Sequence, residues 1–299
     1  YLKAWALKDK IWCSRDGKVF SSNLMGVGQE RDFYRIKELT INDIEFIDKF
    51  VIGQTYKELR EINRGWIDLF GLVKKYRAVI EMNGWASQKI IDELDIQEHN
   101  LEENYHGKIE ADAIESINEL SNRKFNFLKS DFNRMRFLNY LCTQYLRTKK
   151  IQESVINNFA PLYEGTPINI PNCWPIMRHI FATNMAASLF ANKDRFRFTL
   201  LINDTSIPFI TGDQPVINIC AHGALQESVQ NLELYYPITP DTAIIIADTG
   251  RYNSKDRIYI DEESVEEFNE YVIKFSHEQI YANSKNLMER YNIDTTTTI

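Results

Sequence analysis

An apolar run that ends in a turn carries the most informative acidic residue of this chain. Phe209-Ile-Thr-Gly-Asp-Gln-Pro-Val216 places Asp213 directly after a strand-like segment and shortly before a proline. A Gly-Asp-x-Pro sequence is typical of a tight connection between two strands, so turn formation alone can explain Asp213. Thr211 and Gln214 nevertheless add hydrogen-bonding groups beside it. We therefore expect Asp213 to lie at the mouth of a sheet, where a carboxylate can act as a general base.

A long amphipathic segment is predicted to bring two further polar groups to the same region. The apolar spacing predicts a helix from Asp131 to about Asn158, with Gln144 and Arg147 on the face that carries aromatic residues. A guanidinium stays charged at biological pH, and burying it unpaired costs on the order of several kcal/mol. Arg147 therefore needs an anionic or carbonyl partner, for which Asp213 is our preferred candidate. A structural ion pair between helix and sheet explains the pattern equally well.

Other patterns that would identify a reaction are absent from the sequence. The five histidines show no HxxxH or HExxH spacing, and His179 is more readily a buried core residue than a catalytic base. The acidic stretch from Asp92 to Glu110 indicates a solvated helix or loop rather than a metal site. No GxxxxGK[ST] loop or GxSxG turn occurs, which argues against P-loop nucleotide binding and against a serine hydrolase of the α/β type.

Composition limits the class of protein without identifying it. The 299 residues, 44% of them hydrophobic, are enough for one large domain or two ordinary ones, and the net charge of -7 argues against an overall basic surface for nucleic acid. Four widely spaced cysteines form no CxxC pair, which fits a reducing cytoplasm. Apolar runs are strand-sized, so no membrane-spanning helix is expected. Because the chain opens at Tyr1 rather than at a methionine, we expect an upstream segment.

The order of the predicted elements indicates an α+β fold. A hairpin around Asp16-Gly17 opens the chain, and a helical region begins after Thr40. Short β-rich runs between Phe196 and Ala247 follow one another without helices, which favours an antiparallel or mixed sheet. Asp261 is predicted to cap the final helix.

The same order predicts how these elements are grouped into domains. We expect a single domain in which a helical N-terminal and middle region packs on a sheet from the C-terminal half. The domain covers residues 1–299, with a helix-rich part 37–192 and a β-rich part formed by 1–36 and 193–299.

Four short motifs, taken in order, resemble the domain of unknown function 4238 family of bacterial, fungal and phage proteins. They are Asp32-Phe-Tyr34, Gln144-Tyr-Leu-Arg-Thr148, Thr211-Gly-Asp-Gln-Pro-Val216 and Pro237-Ile-Thr-Pro240. The resemblance spans nearly the whole chain and implies that Asp32, Gln144, Arg147 and Asp213 converge in one site. Gly212 departs from the usual serine of the family. The family's leading His-x-Val-Pro run would precede Tyr1, so the resemblance implies a site histidine upstream of this sequence.

Two functions fit these residues. The first is a nuclease-like hydrolase with a small-molecule or nucleic-acid substrate that contains phosphate, in a defence setting. Arg147 would hold the phosphate, Gln144 would orient substrate or water, and Asp213 would act as general base or bind a divalent metal together with Asp32. The alternative is a non-catalytic binding or protein-interaction module in which Arg147, Asp213 and Gln144 are structural. An open pocket at the cluster favours the enzyme, whereas a sealed core favours the module. A small-ligand sensor is a third option.

Overall fold

The chain forms two compact units, which we call the β-rich unit and the helical unit. The computed structural model describes residues 1–28, 38–221, 231–248, 250–252 and 255–291. The β-rich unit comprises Tyr1–Gln29, Ile114–Arg134 and Leu189–Ile299, and the helical unit comprises Glu30–Ala113 and Met135–Ser188. The predicted α+β class is confirmed, with helices in the N-terminal and middle regions and sheets in the C-terminal half. The single-domain assignment stays a prediction.

Seven α-helices lie wholly or mainly in the first two thirds of the described chain. They are α1 (Ile41–Phe46), α2 (Arg60–Phe70), α3 (Leu72–Met82), α4 (Gln88–Ser121), α5 (Asp131–Leu146), α6 (Lys149–Phe159) and α7 (Ile170–Ala191). The start of α1 agrees with the sequence, because Thr40 accepts the Asp43 N–H while the Asp43 side chain accepts the Thr40 N–H. This reciprocal capping satisfies two backbone donors that have no partner within the helix.

The predicted helix from Asp131 to about Asn158 is wrong as one continuous element. It is two helices, α5 and α6, because Thr148 adopts an extended conformation with φ -82° and ψ 156° and serves as the N-cap of α6. Its carbonyl accepts the N–H of Gln152, which starts a new helical ladder. Arg147 therefore lies at a helix junction rather than on a helix face.

The acidic stretch from Asp92 to Glu110 belongs to one long helix. The helix α4 covers Gln88–Ser121 without interruption, so the stretch that the sequence predicts as a solvated helix or loop is helical throughout. Glu102 and His106 of this helix are buried, at 0% and 3% exposure. The interpretation of the whole stretch as solvated is therefore wrong at these two positions. The burial comes from contacts with another helix that the local charge pattern does not reveal.

Within the described residues, the β-rich unit includes parts of α4, α5 and α7 and, in addition, nine strands and two further helices. In chain order these are β1 (Lys10–Arg15), β2 (Lys18–Asn23), β3 (Arg197–Asn203), β4 (Thr211–Gly212), β5 (Ile217–Asn218), β6 (Glu233–Thr239), β7 (Thr242–Ala247), β8 (Arg257–Ile260), α8 (Glu262–Phe275), β9 (Ile280–Ala282) and α9 (Lys285–Arg290). One sheet has the order β2-β1-β9-β4 and the other β5-β6-β7-β3-β8. All pairs are antiparallel except β3 with β8, so the predicted antiparallel or mixed arrangement is confirmed.

The hairpin turn and the helix cap that the sequence predicts in this unit are both present. Asp16 and Gly17 both have positive φ, 50° and 69°, as a two-residue hairpin turn requires. Asp261 caps α8 by accepting the Ser264 N–H, although α9 rather than α8 is the last described helix. The apolar face of α8, including Val265 and Phe268, packs in one cluster with side chains of the five-stranded sheet. No helix within the described ranges is long and apolar enough to cross a membrane.

Candidate functional site

Asp213 follows β4, and backbone N–H groups hold its carboxylate. Its Oδ1 accepts the N–H of His277 at 2.8 Å, and its Oδ2 accepts those of Glu278 and Gln279 at 2.7 and 2.9 Å. The Asp213 N–H in turn donates to the Gln279 carbonyl at 3.0 Å. Charge-assisted bonds of this kind are stronger than neutral ones. Asp213 thus fixes the loop between α8 and β9 against the end of β4.

Gly212 allows this close approach. A Cβ atom at this position would lie 2.0 Å from Ser276 Oγ and 3.2 Å from the Gln279 carbonyl oxygen. The distance to Ser276 is far below van der Waals contact and the distance to Gln279 is slightly short, so a serine at this position would require Ser276 to move. Glycine at position 212, where the motif that this segment resembles has serine, therefore has a packing reason in this chain.

Replacing Asp213 with asparagine is expected to lower the free energy of unfolding by about 1–3 kcal/mol, because the amide offers one acceptor where the carboxylate offers two. Urea unfolding measures the change. The matched control is Asp194→Asn, since Asp194 is exposed in the same unit. An Asp213→Asn variant as stable as the wild type would show that the three N–H contacts are not structural.

The other predicted site residues have different surroundings. Gln144 on α5 is buried, as predicted. Arg147 has a side chain that is 21% exposed, and its Nη2 donates to Glu110 Oε1 at 2.7 Å. The carboxylate of Glu110, on α4, is therefore paired with Arg147. Glu110 and Arg147 both belong to the helical unit, whereas Asp213 belongs to the β-rich unit. Asp32 lies outside the described residues. The roles assigned to these four residues stay predictions.

A row of titratable side chains on α4 was not recognised as a site from the sequence. Glu102, His106 and Glu110 recur at intervals of four residues, so they share one face of the helix. Glu102 and His106 are buried, whereas the Glu110 side chain is 48% exposed beside Arg147. The row thus runs from the interior of the helical unit to its surface. We call Glu102, His106 and Glu110 the α4 row.

At the buried end, one oxygen of Glu102 meets two residues of α7. Oε1 accepts a hydrogen bond from Arg178 Nη2 and lies 2.9 Å from His179 Nε2. The same oxygen lies 3.4 Å from His106 Nε2. The Trp66 ring stacks on the His179 imidazole with centroids 4.7 Å apart. The prediction that His179 is a buried core residue is confirmed, although its neighbours are ionisable as well as apolar.

Burial and the neighbouring charges set the protonation states of this cluster. Burial would raise the pKa of Glu102, but contacts with His106 and His179 and the charge of Arg178 outweigh it and hold that pKa well below its usual range. Burial, helped by the Arg147 charge and opposed by the contact with Glu102, lowers the pKa of His106 to about 4. Burial likewise lowers the pKa of His179. At neutral pH the cluster therefore holds a carboxylate, a guanidinium and two neutral imidazoles.

The sequence contains a signal for this cluster, although a weak one. Glu-x-x-x-His places two potential metal ligands one helical turn apart, and an Arg178-His179 pair lies on another amphipathic segment. A short spacing between two histidines does not mark this cluster, because His106 and His179 are 73 residues apart in the sequence. Only the packing of α4 against α7 brings them together.

Comparison with known proteins supports the resemblance given by the motifs. The family model described as Protein of unknown function (DUF4238) matches residues 172–286. This range contains His179, the turn of Asp213 and the Pro237-Ile-Thr-Pro240 motif, while Gln144 and Arg147 precede it. No curated protein and no solved structure matches the chain. The resemblance to DUF4238 is thus confirmed over residues 172–286.

Proposed function

We propose that the protein is a nuclease-like hydrolase of a phosphate-containing substrate, with its site at the exposed end of the α4 row. The four cysteines are free thiols, which supports the proposed cytoplasmic setting. In the proposed mechanism Glu110 takes the role of general base that was predicted for Asp213, because both carboxylate oxygens of Asp213 accept backbone N–H groups.

The placement of Arg147 carries this proposal. Its guanidinium is partly exposed at the junction of α5 and α6, and Lys149 and Lys150 follow in the first turn of α6. The N-terminal end of a helix carries a partial positive charge, which adds to that of the cationic side chains. A forked guanidinium binds two phosphate oxygens at once. This junction therefore fits a phosphate group better than any neutral ligand.

Glu110 supplies the second chemical element of the proposed site. Its carboxylate lies 2.7 Å from Arg147, so a phosphate bound by the guanidinium would lie within reach of a water that Glu110 orients. Glu110 would take a proton from this water as its oxygen attacks phosphorus. The P–O bond to the leaving group then breaks, and the leaving oxygen takes up a proton from solvent.

Hydrolysis assays test the proposal directly. Single- and double-stranded DNA, RNA, nucleotides and an activated phosphodiester are incubated with the protein, with and without added Mg²⁺ or Mn²⁺. We expect Glu110→Gln and Arg147→Ala each to lower kcat/KM by about 100-fold or more, because each removes a group that acts on the transition state. Arg64→Ala is the control, since Arg64 forms an exposed pair with Asp48 in the same unit. No hydrolysis of any substrate by the folded wild type, or equal rates in all variants, contradicts the proposal.

A non-catalytic binding module is the second candidate function. The engagement of Asp213 by three backbone N–H groups favours it, because this arrangement explains the residue without any substrate. In that case Arg147 and Glu110 would form a surface ion pair that recognises an anionic partner. Binding of a nucleic acid without turnover, weakened by Arg147→Ala, would distinguish the module from the enzyme.

A further inference from the structure

The buried end of the α4 row brings three potential metal-ligand atoms together. One ligand atom from each of Glu102, His106 and His179 lies within 4.8 Å of the other two. The two imidazole Nε2 atoms are 3.4 and 2.9 Å from Glu102 Oε1. Tetrahedral zinc with bonds of about 2.0–2.2 Å places its ligand atoms roughly 3.4 Å apart. Small side-chain movements would therefore be enough to coordinate an ion.

Glu102 provides an independent indication of a missing partner. Its side chain has 0% exposure, and within the described part of the chain its Oε2 has no hydrogen-bond partner. A buried carboxylate oxygen without a partner loses its hydration and receives nothing in return, which is costly. A cation bound by this carboxylate would supply the missing interaction.

The types of ligand indicate which metals fit. Mg²⁺ and Ca²⁺ prefer oxygen ligands, whereas imidazole nitrogen suits Zn²⁺ and other divalent transition metals. Two histidines and one glutamate form a ligand set that leaves a fourth position open for water or substrate. Each neutral imidazole can bind a metal through Nε2 while its proton is on Nδ1. The site therefore favours zinc over magnesium.

Arg178 and Trp66 surround the three ligands and affect how tightly they bind. Arg178 donates to Glu102 Oε1, so it orients the carboxylate as an outer-shell partner but also adds a positive charge close to a cation. The Trp66 ring, stacked at 4.7 Å, restricts the orientation of the His179 imidazole. Without metal, the same residues form a buried ion pair with two neutral imidazoles. The experiment must distinguish this closed network from a metal centre.

We propose that Glu102, His106 and His179 bind one divalent transition-metal ion, preferentially Zn²⁺. The proposal does not depend on hydrolysis at the exposed end of the row. If both proposals hold, the ion lies one helical turn from the position at which Glu110 would act, because His106 and Glu110 are four residues apart on α4.

Metal binding by the full chain is measured without any substrate. The protein is stripped with EDTA, dialysed and titrated with Zn²⁺, with Mg²⁺ in parallel, and with Co²⁺ to record the visible absorption of a tetrahedral site. We expect one Zn²⁺ per chain and a rise in Tm on binding, with no such effect of Mg²⁺. His106→Gln and His179→Gln are expected to weaken Zn²⁺ binding by more than about 100-fold, because each removes a direct ligand.

His99→Gln is the matched control, since His99 is an exposed histidine on the same helix. Glutamine can still donate a hydrogen bond to Glu102, so the two ligand variants have a better chance of folding than alanine variants do. Absence of Zn²⁺ binding by the folded wild type, or unchanged affinity in both ligand variants, overturns the proposal. Loss of affinity in His99→Gln equal to that in the ligand variants assigns the binding to the surface and overturns it too. Zinc binding without hydrolysis would reject only the proposed activity.

Discussion

Glu102→Gln is expected to lower the free energy of unfolding by about 3–5 kcal/mol in metal-free protein at neutral pH. The substitution keeps the shape of the side chain but removes the charge that faces Arg178, whose side chain is only 2% exposed. Removing one partner of a buried ion pair leaves the other charge in a medium of low dielectric constant, and this costs far more than losing a surface pair. Chemical denaturation in the presence of EDTA measures the change.

The double variant separates the ion pair from general damage to the core. Glu102→Gln combined with Arg178→Met should cost much less than the sum of the two single substitutions, because no uncompensated charge is left at this pair. Glu45→Gln is a surface control: Glu45 pairs with Lys49 at 3.0 Å on an exposed face, and its loss should cost less than about 1 kcal/mol. Additive effects at Glu102 and Arg178 would contradict a coupled buried pair.

The elements that could be predicted from the sequence are those whose signals are local. Thr40 and Asp261 cap helices, and Asp16-Gly17 closes a hairpin, because each acts on backbone groups within three or four residues. No glycine or proline lies at Thr148, where the helix breaks. The helical spacing of apolar residues continues through this position and therefore predicts one helix. Its extended conformation is visible only in the folded chain.

The candidate site could be predicted only in part, because its contacts join distant segments. Helical spacing predicts Arg147 and Gln144, but Glu110, a carboxylate that pairs with Arg147, lies 37 residues earlier in the chain. Glu102 and Arg178 are 76 residues apart. The sequence predicts the turn at Asp213. It does not predict the partners of the carboxylate, because these are backbone N–H groups, which nearly every residue type has. A charge pattern shows which residues share a helix face, but it does not show which other element packs against that face.

Metal-free protein is expected to lose stability as the pH falls from about 6.5 towards 4. His106 has an ordinary pKa of 6.5 in the unfolded chain and about 4 in the folded protein, so in this interval the unfolded state binds a proton that the folded state does not. Stability therefore rises with pH through this range and decreases as the pH falls. At about pH 4 the loss from His106 alone approaches about 3 kcal/mol, and His179, whose pKa is also lowered, adds in the same direction.

Glu102 also makes the protein less stable as the pH falls, but in a lower pH range. Its pKa is held below the ordinary value of 4.5, so the stability it contributes is present above that pH and decreases as the pH falls below it. Free energies of unfolding in EDTA at several pH values between about 7 and 4 measure the combined slope. His106→Gln should flatten the slope, because glutamine does not titrate, whereas His99→Gln should retain it, since His99 is exposed. Equal slopes in wild type and His106→Gln would show that His106 is protonated in the folded protein as readily as in the unfolded chain, and would remove the electrostatic basis for a buried, neutral imidazole in this cluster.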